Sequence, residues 1–221
     1  ETIKKAKESS KKNFVQKIDL VINLKNLNLK KPEENVDLFV TLPHSPGKKI
    51  KICALVGKEM TNQAAIFDKV IKLEEFNVYQ DKKLIKNLAK DYDYFIAQAN
   101  LMTEVAKVFG KTLGPRNKMP NPKYGGVVTQ EMNLQDLKNK LEKTVRLKTK
   151  NEPIIKTYVG NQGMKDEEIA DNLLACYNSL TRVLPQEEAN IRNVILKLTM
   201  GAPFRVEKKK CCTQKNLKQW N

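Results

Sequence analysis

One histidine, one tryptophan and four cysteines are all that 221 residues offer toward imidazole, metal or redox chemistry. The lone imidazole, His44, sits between Pro43 and Pro46 with no second histidine to share acid/base or metal work, so it is not expected to be catalytic. Cys53, Cys176, Cys211 and Cys212 make no C-x-x-C pair and have no neighbouring His, which removes the usual zinc pattern. Cys53 and Cys176 fall in apolar-periodic stretches and read as small core residues, whereas Cys211-Cys212 lies in a polar tail as reduced thiols. No apolar run approaches the roughly 20 residues of a membrane span, and the first residues lack a signal-type apolar core. No Ser/His/Asp or paired-carboxylate constellation can be assembled. The expectation is a cytoplasmic protein without enzyme activity, metal or cofactor, and with no membrane partner.

Acid is also scarce. Twenty-five acidic residues face 41 lysines and arginines, a formal charge of +16. Such a balance favours a polyanion, because each phosphate neutralised releases counterions that supply affinity. The remaining composition is that of a globular chain, with 40% hydrophobic residues and neither Gly nor Pro enriched.

The chain organises into two kinds of pattern. Residues 2–12 suit a short basic helix. Ile18, Leu20, Ile22 and Leu24 then alternate with polar residues, as do Val36, Leu38, Val40 and Leu42. Period two marks half-buried strands, and these two are expected to pair antiparallel. From Lys48 strands alternate with helices: KIKICALV, a helix over 61–68, VIKL, a long basic helix over 74–92, YFIAQA, a helix over 101–113, another near 133–141, and the strand TVRLKTK closing the unit. That alternation indicates a parallel sheet covered on both faces. After Asn151-Glu152-Pro153 the first style returns, with the strand IIKTYVG, a helix over 166–184 with Asp166 as its N-cap, and a strand over 193–199. The economical architecture is one α+β domain formed by both chain ends with an α/β unit inserted, joined by linkers near 43–48 and 150–153. Beyond Val206 the lysine-rich tail lacks periodicity and is expected to stay disordered until it meets RNA.

Two segments carry the chemistry. GKTLGPRNKMPNPKYGG (110–126) gathers Lys111, Arg116, Lys118 and Lys123 among glycines and prolines. Gly110-Lys111-Thr112 ends like an ATP-binding loop, but Val105 stands where that motif needs its first glycine, and the preceding residues read as helix rather than strand. What remains is a stiff basic loop whose cations face solvent or phosphate, or a plain surface turn. The second segment is split. Lys11-Lys12-Asn13-Phe14 precedes the first strand and Lys197-Leu198-Thr199-Met200-Gly201 ends the last. If both share a sheet, lysines could meet phosphates, an aromatic ring or thioether could pack on a sugar or base, and glycine could let backbone reach a 2′-hydroxyl. Core positions for Phe14 and Met200 are equally compatible with the chemistry.

Four stretches, in order, extend this reading: Val40-Thr41-Leu42-Pro43-His44 with Gly47-Lys48; Leu113-Gly114-Pro115-Arg116 with Met119-Pro120-Asn121-Pro122; Val159-Gly160 before Ala170-Asp171-Asn172; and Lys197 to Gly201. Together they resemble the ribosomal protein L1 family (uL1) over about residues 10–206. Phe95 to Ala99 and the spacing from LGPR to MP look archaeal in type, related to but distinct from the eukaryotic L10a proteins.

The resemblance implies an α+β terminal domain (split β-α-β, ferredoxin-like) over 1–47 and 152–206, an inserted Rossmann-like α/β domain over 48–151, and a basic tail over 207–221. It further implies a structural constituent of the large ribosomal subunit, monomeric off the ribosome. Its partners would be 23S/28S-type rRNA in a mobile stalk, deacylated tRNA at the exit site, other large-subunit components and its own mRNA as a repression target. Lys11, Lys12, Phe14, Gln16, Lys17, Lys197, Thr199, Met200 and Gly201 would bind rRNA; Lys111, Arg116, Lys118 and Lys123 would face tRNA. Lys17 replaces a small hydroxyl residue common in the family, and Asn117 replaces a glycine, a mild exchange because Asn tolerates positive φ. A basic RNA- or DNA-binding regulator of another kind is the alternative class.

Overall fold

The computed structural model of the chain describes residues 2–8, 14–28, 31, 34–129, 132–150 and 152–206. The chain divides into two compact units, Glu1–Asp37 with Leu147–Asn221, and Leu38–Arg146.

The first unit is built on an antiparallel sheet. Strand β1 (Lys17–Leu24) buries Ile18, Leu20, Ile22 and Leu24 on one face, as its period-two pattern requires. Its neighbours are β8 (Ile154–Asn161) and β9 (Ile191–Leu198), and β10 (Phe204–Val206) extends the sheet beyond β9, giving the order β10-β9-β1-β8. The first and last long strands therefore run side by side, with Ile18 opposite Leu198 and Asp19 opposite Lys197. Helix α6 (Asp166–Thr181) packs on β8 and turns Ile169, Asn172, Cys176 and Leu180 inward at helical spacing. Helix α1 (Thr2–Glu8) packs on β9, β10 and α6 and buries Ala6. Each large side chain withdrawn from water in this way contributes about 1.5–3 kcal/mol. Asn172 is fully buried and affordable there because its amide donates to the Val159 carbonyl at 2.8 Å.

The second unit carries a parallel sheet in the order β4-β3-β5-β6, formed by β3 (Ile52–Val56), β4 (Lys69–Lys72), β5 (Tyr94–Gln98) and β6 (Val127–Val128). Residues of β3 alternate between two cores. Ile52, Ala54 and Val56 pack with Tyr124 and with Leu134, Leu137 and Leu141 of α5 (Leu134–Lys143). Cys53 and Leu55 pack with Ile85 and Leu88 of α3 (Lys82–Asp91) and with Val105, Phe109 and Leu113 of α4 (Met102–Leu113). A parallel sheet covered on both faces is what the near-continuous apolar run ICALV encodes.

Several expectations change. β2 (Asp37–Thr41) does not pair with β1, because β8 and β9 occupy both edges of β1; it forms a two-stranded sheet with β7 (Thr144–Lys148). β7 accordingly leaves the parallel sheet, whose edge is taken by the two-residue β6, too short to show a period. The long helix expected over 74–92 is broken. A 3-10 segment, Leu73–Gln80, ends where Asp81 accepts the Lys83 N–H at 3.0 Å and caps α3. The helix expected over 61–68 shrinks to α2 (Thr61–Ala64), since Asp68 turns back to accept the Ile52 N–H at 2.8 Å. Lys165, not Asp166, occupies the N-cap position of α6; its N–H is accepted by Glu168 at 3.2 Å, while Asp166 pairs with Lys7 at 2.6 Å. The expected tail lies outside the described residues.

Candidate nucleic-acid interface

In the first unit, the end of β9 is fastened to the start of β1. Both the N–H and the hydroxyl of Thr199 donate to the Lys17 carbonyl, at 3.1 and 3.2 Å. The Met200 N–H donates to the side-chain oxygen of Gln16 at 3.1 Å, and the Gln16 carbonyl accepts the Gln162 N–H at 2.9 Å. The Gly201 N–H closes the turn onto the Leu198 carbonyl.

Around this knot the apolar residues face outward. Phe14 is 53% exposed, Val15 73% and Met200 62%. The choice between core and surface for Phe14 and Met200 is thereby settled as surface. Lys17 is exposed, with its ammonium 5.7 Å from the centre of the Tyr158 ring on β8, a cation held over an aromatic face. Lys197 is half-buried, its ammonium 3.5 Å from the Thr199 carbonyl. An exposed ring and thioether beside lysines suit a sugar-phosphate ligand better than they suit water. Gln16 is different. At 2% exposure its side chain reaches no ligand and holds the Met200 turn in place instead. Lys11 and Lys12 lie outside the described residues. Tyr158 was not anticipated; its register opposite Asp19 becomes visible only once β1 and β8 are paired.

The turn that enters α6 is fixed as tightly. A Cβ on Gly160 would stand 2.9 Å from the Met164 sulfur, so glycine allows this close approach. Lys7 binds the Met164 carbonyl at 2.5 Å and the Asp166 carboxylate, whose pKa it lowers.

In the second unit the 110–126 loop begins at the C-terminal end of α4, so no strand feeds Gly110 and the ATP-loop geometry is absent. Asn117 adopts φ +55°, the left-handed conformation that its substitution for glycine anticipated. Lys111, Arg116 and Lys123 are exposed. Lys118 is not available to a ligand in the way the other three are: its ammonium donates to the Ala89 and Tyr92 carbonyls at 2.9 and 2.7 Å, closing the end of α3, and partial burial lowers its pKa. The Tyr124 hydroxyl, donating to the Phe95 carbonyl at 3.0 Å, pins the loop to β5.

Among the described residues no three His, Cys, Asp or Glu side chains are grouped to hold a metal, and no helix is long and apolar enough to cross a membrane. Burial pushes the Cys53 and Cys176 thiols up to about 12, away from nucleophilic thiolates.

Comparison with known proteins bears on this arrangement. Residues 6–202 match the model of the ribosomal protein L1p/L10e family. The chain belongs to that family. Among its relatives, the large ribosomal subunit protein uL1 of Pyrococcus abyssi is 39% identical over 211 residues, covering 94% of each chain. The protein of the same name from Nanoarchaeum equitans is 39% identical over 208 residues, 92% of this chain and 97% of its own. That of Methanothermococcus thermolithotrophicus is 38% identical, over 93% and 96% respectively. The similarity to archaeal L1 proteins thus spans both units and both candidate surfaces.

Proposed function

We propose that this chain is a structural constituent of the large ribosomal subunit, gripping rRNA with its first unit. The observation that carries the reading is the knot at the sheet end, where Thr199, Met200 and Gly201 are tied to residues 16 and 17 with Phe14 and Met200 left exposed. Two distant segments of one polypeptide thereby offer a single surface of cation, ring, thioether and bare backbone, the set that recognises folded RNA through phosphate, sugar and groove shape. The domain that binds is the discontinuous one formed by both chain ends, and no bond is made or broken.

The finer roles follow the family resemblance. The inserted unit presents Lys111, Arg116 and Lys123 toward deacylated tRNA at the exit site and assists its release. The surface that reads the rRNA fold also accepts a similar fold in the chain's own mRNA, giving translational repression. The ribosome in the cytoplasm is the site of action. Sedimentation of tagged protein through a sucrose gradient tests the central claim. It is expected with the large subunit and with 70S or 80S particles. Recovery only at the top of the gradient at low salt would refute it.

A further inference from the structure

The cations of the 110–126 loop do not share one surface. Lys118 is turned into the unit, whereas Lys111 and Arg116 line an open cavity of about 310 Å³ together with Lys82, Lys86, Thr112 and Pro115. Four cations and no carboxylate line this cavity. Mutual repulsion disfavours such a set in the isolated protein, and surfaces without a ligand ordinarily intersperse both signs.

Local stability does not account for the cluster. Lys82 is the first residue of α3, at the positive end of the helix dipole, where a lysine is unfavourable. Asp81, which caps that helix, uses a carboxylate oxygen on the Lys83 N–H. Lys86 follows one turn after Lys82, placing both ammonium groups on one helix face. Arg116 is oriented by one donation, from Nη1 to the Lys86 carbonyl at 3.0 Å, so part of its five-donor fork is committed to position and the rest is left for an anion.

The lining also says which anion. α4 contributes its last turn, whose carbonyls rather than N–H groups point along the axis, so no backbone nest cradles a terminal polyphosphate. No aromatic residue lines the cavity to stack a base. Side-chain cations reaching an open concavity without base recognition are the pattern of backbone contact to a nucleic acid.

We propose that Lys82, Lys86, Lys111 and Arg116 form a phosphodiester cradle for the backbone of a structured RNA on the inserted unit. This rests on the reading that the inserted unit faces tRNA, and adds to it two lysines outside the loop while assigning Lys118 to structure.

The test uses the full chain and a fluorescent deacylated tRNA transcript, with affinity followed by anisotropy across a salt series. The double variant Lys82→Gln/Lys86→Gln is expected to reduce the slope of log affinity against log salt by about two and to lower affinity roughly tenfold or more. Both side chains are exposed and their charges repel, so its thermal unfolding should match the parent's or lie slightly above it. A Lys123→Gln variant separates the two ideas. If it weakens binding while the double variant does not, the cradle is wrong and the tRNA-facing loop stands. If neither they nor Lys111→Gln/Arg116→Gln change binding, both readings fall. Displacement of the tRNA by micromolar ATP would mark a mononucleotide site and overturn the cradle alone.

Discussion

Gln16 and Met200, 184 positions apart in sequence, are joined by a 3.1 Å hydrogen bond from the Met200 N–H to the Gln16 side chain. One partner is buried and the other is among the most exposed apolar residues of the unit. That asymmetry separates two roles on one surface. Replacing Gln16 by Ala leaves a backbone N–H without its acceptor and should cost about 1–3 kcal/mol of stability, measured by urea unfolding. Phe14→Ala should change stability by no more than about 0.5 kcal/mol yet weaken binding to an rRNA stem-loop. A gel-shift series in which Phe14→Ala binds as the parent does would remove the ring from the interface.

Thr199→Val keeps the shape and the backbone bond to Lys17 while deleting the hydroxyl that donates to the same carbonyl at 3.2 Å. If that hydroxyl also serves RNA, affinity for an rRNA stem-loop should fall by about 0.5–1.5 kcal/mol, the net value of a hydrogen bond, with the urea midpoint little changed. Met200→Ala should weaken binding likewise. Equal affinity for all three proteins in a filter-binding assay counts against this turn as an RNA contact.

How far the sequence revealed this arrangement depended on whether a residue's partner is local. The alternation in β1 and β9 is intrinsic to each strand, so their faces were readable, and two strand-rich ends around a helix-rich middle suggested that they meet. The partner of β2 was not readable: both β2 and β7 would satisfy any strand edge, and the choice was made by β8 and β9 occupying β1. β6 has two residues and no period to detect. At the candidate sites, residue type identified the exposed Phe14 and Met200 as possible contacts but could not place them outside the core. It grouped Lys118 with Lys111 and Arg116 because all three are cations in one loop, whereas only the packing of α3 shows two carbonyls waiting for the Lys118 ammonium.

Lys118→Met tests that structural assignment. It retains much of the side-chain stem and removes both bonds to the end of α3, so it should destabilise the protein by about 1–3 kcal/mol. The tRNA salt slope should stay unchanged, unlike that of the cradle variants. Because burial holds the folded-state pKa of Lys118 below its ordinary 10.5, the unfolded chain binds more protons in that window. The parent's stability therefore gains from this group as pH rises from the depressed value toward 10.5, and Lys118→Met should lose that increment.

The acid limb has the same sign, because here too the folded-state pKa lies below the unfolded one. Lys7 holds Asp166 ionised below its ordinary value of 3.8 by a direct hydrogen bond. The stabilisation is complete above pH 3.8 and fades as pH falls through the depressed folded value, where the carboxylate protonates. Asp166→Asn should flatten the stability profile in that interval. A profile identical to the parent's below pH 3.8 would mean that the pair contributes nothing to the docking of α1.

The thiols give a test of the two cores without any ligand. Cys53 lies in the inserted unit's sheet and Cys176 on α6, both fully buried, with pKa values pushed up to about 12 by desolvation. The thiolate is the form that attacks thiol reagents, so at pH 8 neither should react until the backbone opens. In a Cys211→Ser/Cys212→Ser background, labelling should be negligible in buffer and complete in denaturing urea. At intermediate urea, mass spectrometry of the two labelled peptides reports each unit separately. Equal labelling of Cys53 and Cys176 across the series means cooperative unfolding of the whole chain, and earlier labelling of one assigns the weaker core. Rapid labelling of either in buffer contradicts its burial and with it the packing described for that unit.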